Sequence, residues 1–541
     1  MILVRSGIMV PAHDAPAIVN GAVAVSGETI ADLGAFEELS ARYPTARAMG
    51  GDRFLLIPGL INGHGHGRGL SSFQRGALDN TLESWIWDTR KLKPLPLYDD
   101  VSYCAAKLLK SGVTTTMHNH LLTGAFPPDQ EFDDAIMAYK DAGMRVFFCP
   151  AIRNNNPFVY GDNRSFLSSL PQHVQEALSS PPPLSEEDYF DIVRALHAKH
   201  HGSMCHIGFG PVGPQWCTTP LLQKIRRTAE ELGLSVHIHS LESVLQKIHG
   251  LTALSRTHIA FMRDIGFLGP EIVLAHSVWA TENDIQIIAE SGAGVTHQPS
   301  SNLRLRSGIA PVFHMLQAGV RVGLGLDGQG INDNDDFIQE MKLCYLLHRI
   351  PSLEMNSPHL SARQVFKMAT ETNASLLTFG SRIGRIEPGR YADLVLLDFM
   401  KMRFPHTDRA HDPIEVLLYR GSSEHVHTVM VRGQVVVEDG KILTIDEDSV
   451  ASRLAEAASQ PRNQNEEAFV KAMDELKQQV TLFHKGWIEK LRAEPYFDVN
   501  SWIDDAHDNP LSCEELFAYD SKKKTGGKRL CNDARARHTR A

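Results

Sequence analysis

Two histidines stand where an apolar run stops: IPGLINGHGHG sets His64 and His66 two positions apart. In an extended chain a spacing of two puts both side chains on one face, so the two imidazoles can face a single metal ion. The pattern recurs. LSVHIHSLES offers His237, His239 and Glu242, EIVLAHS ends in His276, and VRVGLGLDG ends in Asp327. A buried ionisable group at the end of an apolar strand is costly unless it is paired or bound to metal, and four such endings in one chain point to a metal site. Several histidines and one aspartate, without clustered cysteines, suit one divalent ion, Zn²⁺ first and Fe²⁺ second, rather than Ca²⁺ or Mg²⁺. An ion held this way brings the pKa of a water toward neutrality. Glu242 is then placed to carry protons between that water and a substrate nitrogen. Spacing leaves His237 and His239 equivalent, because both lie on the same face.

These residues need a parallel sheet to position them. Apolar, β-branched runs alternate with amphipathic helical stretches: GVTTTMHNH, FDDAIMAYKDAG, MRVFFCPA, HIGFGP, TPLLQKIRRTAEELG, and so on to VRVGLGLDG. About eight strands fit between residues 59 and 330, the rhythm of a (β/α)8 TIM-like barrel, whose active sites lie at the carboxyl ends of the strands. The first 58 residues read as short strands and hairpins, and the same texture returns in YADLVLLD and HVHTVMVRGQVVVEDGKILTID. The expected organisation is α/β: residues 1–58 and 386–445 as the two parts of a small β-sandwich domain, 59–385 as a metal-dependent hydrolase barrel, and 446–541 as a helical extension with a disordered basic tail. EEAFVKAMDELKQQVTLFHKGWIEKL carries the helical spacing in that extension, for which a scaffold or oligomer role is one reading. Residues 153–185, rich in Asn, Ser and Pro, read as an insertion or lid after the third strand.

Composition narrows the function classes. The chain has 541 residues, 43% hydrophobic and 22% charged, with a formal net charge of −10. The apolar fraction excludes a mainly disordered chain, and the acidity argues against a nucleic-acid partner. Seven cysteines without a C-x-x-C pair fit reduced thiols and a cytoplasmic location. No signal peptide is read at the start, and no run reaches the roughly 18 apolar residues of a membrane helix.

IPGLINGHGHG, LSSFQRGALDNTLESWIW, HIHSLES, LAHSVW, HQPSSNLRLRSGIAPV, GLGLDGQGINDNDDF, ATETNASLLTFG and GRIEPGRYADLVLLD, taken together and in this order, resemble the amidohydrolase superfamily. Within it they resemble the chlorohydrolase and aminohydrolase branch, which includes triazine hydrolases, guanine deaminase and adenosylhomocysteine/methylthioadenosine deaminases. The resemblance covers about residues 1–445. It implies His64, His66, His239 and Asp327 as metal ligands, with the H-x-x-E spacing selecting His239. It implies Glu242 as proton shuttle, His276 as a contact to the water and reaction centre, and Asp327 as a second proton carrier. It also implies one metal rather than two, since the fourth strand, CHIGFGPVGPQW, lacks the lysine of two-metal relatives. Gly65 and the following GRGL depart from the branch pattern.

The expected activity is hydrolysis of a non-peptide carbon–nitrogen bond, first as a deaminase of an amino-substituted heterocycle, with amide, urea or carbamate hydrolysis as the alternative. Trp85, Gln215, Trp216, Asn302 and His120 are candidate substrate contacts, an aromatic-plus-amide set suited to a flat ring. Ser301 and Arg304 lie nearby in sequence. The partner is a small molecule, with no nucleic acid or membrane, and the branch precedent is a homo-oligomer, commonly a dimer.

Overall fold

A computed structural model of the protein describes residues 1–124, 126–179, 184–328, 330–349 and 359–487. Five strands open the chain: β1 (Ile2–Met9), β2 (Ile18–Val19), β3 (Gly21–Ser26), β4 (Thr29–Ala35) and β5 (Arg47–Pro58). The parallel strands follow: β6 (Leu60–Asn62), β7 (Val113–His120), β8 (Arg145–Ile152), β9 (Cys205–Ile207), β10 (Gly210–Pro211), β11 (Val236–Ser240), β12 (Ile272–His276), β13 (Gly294–His297) and β14 (Arg321–Leu324). The last strands are β15 (Leu394–Asp398), β16 (Val426–Val431), β17 (Gln434–Glu438) and β18 (Lys441–Ile442).

The N- and C-terminal strands form one nine-stranded mixed sheet in the order β18-β17-β16-β15-β5-β1-β3-β4, with β2 beside β1. The two chain ends meet where β15 runs antiparallel to β5, Leu394 opposite Pro58 and Asp398 opposite Phe54. The period of two decides the packing. Leu394 and Leu396 join Val4, Val25, Leu56 and Met430 in one apolar cluster, while Val395 and Leu397 join the main core with Leu60 and Val113. Both faces of β15 are therefore covered, which is why LVLLD is apolar along its length rather than alternating.

The parallel strands form two hydrogen-bonded groups. In one, β6, β7 and β8 lie side by side, with β9 and β10 both paired to β8; in the other, β11, β12, β13 and β14 follow in order. Parallel bridges Phe209–Val236 and Gly65–Asp327 link the groups at either edge, so the parallel sheet curls until its first strand meets its last. Helices cover its outside for local reasons that Thr219–Leu232 illustrates. The Thr218 side chain caps it, Gly233 ends it at φ 65°, and Leu221, Leu222, Ile225 and Ala229 form its buried face.

The meeting of β6 and β14 depends on one side chain. A π-helical turn, Met368–Thr372, delivers Asn373 to the seam. Its amide nitrogen donates to Ile61 O (2.6 Å) and Leu324 O (2.7 Å), and its carbonyl accepts from Leu324 N (3.2 Å). The fit requires Gly323, where a Cβ would lie 2.0 Å from Asn373 Oδ1.

Residues 153–185 contain helices Asn163–Ser169 and Gln172–Ala177. The extension folds as Glu447–Ser459 and Gln464–Phe483, and the basic tail end lies outside the described residues. The five described cysteines are buried and unpaired. No helix among the described residues is long and apolar enough to cross a membrane. Replacing Asn373 with Ala leaves Ile61 O and Leu324 N–H buried without their partner. The expected cost is about 2–4 kcal/mol, seen as a lower thermal midpoint in calorimetry; an unchanged midpoint would show the seam does not need this amide.

Candidate metal centre

The strand ends bring the predicted residues together. His64 and His66 follow β6, His239 lies within β11, His276 ends β12 and Asp327 follows β14. The His64 ring centroid is 5.1 Å from His66, 4.9 Å from His239 and 5.4 Å from His276. Asp327 Oδ1 lies 3.4 Å from His64 Nε2 and 3.2 Å from His66 Nε2. Two three-donor sets, His64–His66–His239 and His64–His276–Asp327, share His64.

Hydrogen bonds set which nitrogen of each ring is free. His66 Nδ1 donates to Asn119 O and His239 Nδ1 donates to Val212 O, each at 2.8 Å. Because a carbonyl only accepts, each Nδ1 carries the proton and each Nε2 keeps a lone pair for a cation. His64 is wholly buried; its Nδ1 has no partner and its Nε2 faces the Asp327 carboxylate. Burial holds His64 neutral, with its pKa pushed down to about 3, and pushes His239 well below the ordinary histidine range. Burial pushes the Asp327 carboxyl upward, but the His64 and His66 rings beside it outweigh that and keep the group well below the usual carboxylate range. Imidazole nitrogens turned toward one buried carboxylate fit a divalent cation.

The backbone is bent to serve this cluster. His276 has φ 72° and Asp327 φ 65°, left-handed values that cost a non-glycine residue ~1–3 kcal/mol. His276 N–H donates to Gln298 Oε1 (3.0 Å) and Asp327 N–H to His64 O (2.9 Å), which hold the two turns. The helix Pro299–Arg304 then orients both side chains. Asn302 Oδ1 accepts from His276 Nδ1 at 2.9 Å, and Ser301 Oγ donates to Asp327 Oδ2 at 2.6 Å.

Glu242 sits with Oε2 3.7 Å from His276 Nε2. Burial, with the charges of Asp327 and Glu83 nearby, pushes its carboxyl well above the ordinary range. Glu83, from the helix Leu82–Arg90, accepts from Ser243 Oγ and from Tyr160 OH. Nothing in its spacing marks it, since an acidic residue in a first helical turn is commonplace.

The other expected contacts divide. Gln215 is fully buried in the 3₁₀ turn Pro214–Trp216, and neither atom of its amide has a partner. Trp85 and Trp216 share an apolar cluster with Leu82, Tyr160 and Val212, and Trp85 Nε1 is buried without a partner. His120 is a correction: with His118 it lies on the helix side of β7, its ring against Phe132 and Phe148 and its Nε2 3.5 Å from Glu131. Alternation puts Asn119 on the opposite side, where its carbonyl holds His66 and its amide is buried without a partner. Asn302 gives its side-chain carbonyl to His276, while its amide nitrogen is buried without a partner. Arg304 pairs with Asp79 and Asp333. His237 stacks on His64 at 5.0 Å and turns its Nε2 to Gly63 O (3.3 Å), outside the three-donor sets.

A parallel curled sheet with imidazoles and a carboxylate gathered at its strand ends is the arrangement of a metal-dependent hydrolase. Residues 55–436 match the model of the Amidohydrolase family, and residues 21–46 match an Imidazolonepropionase-like composite domain. The chain is 30% identical over 465 residues to a 5'-deoxyadenosine deaminase of Methanosarcina barkeri, covering 85% of this chain and 98% of that one. Among solved structures it resembles an adenosine deaminase from Xanthomonas campestris with bound zinc, with TM-score 0.72 and 24% identity over 84% of this chain and 97% of that one. It also resembles a variant of atrazine chlorohydrolase from Arthrobacter aurescens complexed with zinc and atraton, with TM-score 0.70 and 25% identity over 85% of this chain and all of that one. The protein belongs to the amidohydrolase family, and it is a hydrolase of carbon–nitrogen bonds.

The geometry separates the two histidines of β11. Elemental analysis of purified protein should give about one divalent ion per chain, falling severalfold in His239→Ala and Asp327→Asn but persisting in His237→Ala. Equal loss in both histidine variants would remove the assignment.

Proposed function

We propose that the protein is a zinc-dependent deaminase that removes the amino group from a flat, adenosine-type heterocycle. The observation that carries this reading is the placing of two carboxyls at one donor cluster, Glu242 with Oε2 3.7 Å from His276 Nε2 and Asp327 with Oδ1 3.4 Å from His64 Nε2. Deamination needs both: an acid for the ring nitrogen and a base for the water. The deaminase relatives support the same choice of reaction.

His64, His66, His239 and Asp327 would hold one ion, which when bound supplies Lewis-acid activation of a water. Glu242 gives its proton to the ring nitrogen beside the amino-bearing carbon as negative charge builds there. His276, whose Nδ1–H is tied to Asn302, presents a lone pair at Nε2 and orients the attacking water by accepting from it. Asp327, with Oδ2 fixed by Ser301, takes one proton of that water and delivers it to the departing nitrogen, which leaves as ammonia. The second water proton returns to Glu242 as the carbonyl forms, so the enzyme ends as it began. Trp85 and Trp216 would lie against the ring faces and the Gln215 amide against its edge. The same reading takes the curled sheet, over 59–385, as a (β/α)8 TIM-like barrel and the nine-stranded sheet as a small β-sandwich. The apolar cluster shared by β1, β3, β5, β15 and β16 supports the latter.

Glu242→Gln tests the chemistry. It should retain its metal while kcat falls about 10²- to 10⁴-fold, measured as ammonia released from aminopurines, their nucleosides, pterins and triazines. Turnover of ureas with no ammonia from any ring amine would instead place the protein with the amide hydrolases.

A further inference from the structure

The family match ends at residue 436, yet the chain continues and packs back onto the elements around the metal centre. The helix Glu447–Ser459 lies on Leu97–Lys110, with Leu454 and Val450 beside Leu95 and Arg453 paired to Asp99 at 2.6 Å. The helix Gln464–Phe483 then bridges two separate segments. Its Ala472, Met473, Leu476 and Val480 pack with Trp87 of the helix Leu82–Arg90 and with Phe166, Leu170 and Val174 of the insertion. Ion pairs Lys91–Asp474 (2.6 Å), Lys477–Asp88 (2.5 Å) and His173–Glu475 (3.1 Å) fix the same contacts. The extension therefore holds in place the helix that carries Glu83 and Trp85.

Its end goes further. Beyond Phe483 the chain turns, Trp487 N–H donating to His484 O at 3.1 Å. The His484 ring lies 5.6 Å from Tyr160 and 4.8 Å from Trp487. Trp487 packs into the apolar cluster of Leu82, Tyr160, Val212, Trp216 and Leu305 with Trp85. Two members tie this cluster to the centre: Val212 O accepts from His239 Nδ1 at 2.8 Å, and Tyr160 OH donates to Glu83 at 3.3 Å.

We propose that Trp487 is a specificity-determining residue: an indole supplied by the chain's own extension completes the apolar wall of the pocket and selects bare or lightly substituted rings over rings with large substituents. The proposal rests on the deaminase reading. Differences of one or a few groups in an apolar pocket change kcat/KM by about 10- to 200-fold, which sets the size of the expected effect.

The test uses the zinc-loaded full chain as wild type, Trp487→Ala, Trp487→Leu and Trp487→Phe, with adenine, adenosine and S-adenosylhomocysteine as substrates and ammonia release as readout. The ratio of kcat/KM for S-adenosylhomocysteine to that for adenine should rise at least about tenfold in Trp487→Ala. It should rise less in Trp487→Leu and stay near the wild-type value in Trp487→Phe. Trp487→Leu carries the test if the alanine variant does not fold. An unchanged ratio in a folded variant, or an equal fall on all three substrates, overturns the proposal while leaving the deaminase reading intact. No ammonia from any of the three with the wild type removes both.

Discussion

A carboxylate ringed by imidazoles at the strand ends is the constraint on which the structure turns. Asp327 lies against His64 and His66, His64 lies beside His239 and His276, and of these only His66 is appreciably open to solvent. Such a group is tolerable when its lone pairs converge on a cation. The left-handed turns at His276 and Asp327, the carbonyls that fix the tautomers of His66 and His239, and the Asn373 amide at the β6–β14 seam all hold these atoms together. Each is a small cost or a few hydrogen bonds beside the cluster.

Two carboxyls share this environment and take opposite states. Asp327 is reached directly by two imidazoles, whereas Glu242 is buried beside the negative charges of Asp327 and Glu83. Identical functional groups are thus shifted in opposite directions through position alone. Ser301 and Asn302 belong to the same division of work: neighbours in one short helix, one orients the base and the other the histidine.

The ends of the chain play different parts. Residues before β6 and after 386 pair into a single sheet that covers the main core on one face. The residues beyond that sheet turn back as helices, brace Leu82–Arg90 and the insertion, and add aromatic rings to the cluster of Trp85 and Trp216. Nothing in the amphipathic spacing of 464–483 says which surface its apolar face covers. That was decided by Trp87, Phe166 and Val174, residues about 300 to 390 positions earlier.

Local sequence by itself determined a good deal. An apolar run that ends in a charged or imidazole side chain carries its own cost, so His64, His66, His239, His276 and Asp327 stood out from one-dimensional pattern, as did the parallel strands that carry them and the pairing of two distant β-rich ends. Tertiary structure decided what periodicity leaves degenerate. His237 and His239 share a face, and only the height of each along β11 separates a ring beside Gly63 from one beside the donor cluster. His118 and His120 share a face too, but curvature of the sheet turned it to the helices and gave the inner side to Asn119. Glu83 and Trp487 were silent in sequence because their meaning lies in contacts across hundreds of residues, and spacing along a chain encodes which side of an element a residue occupies, not what the fold will bring to meet it.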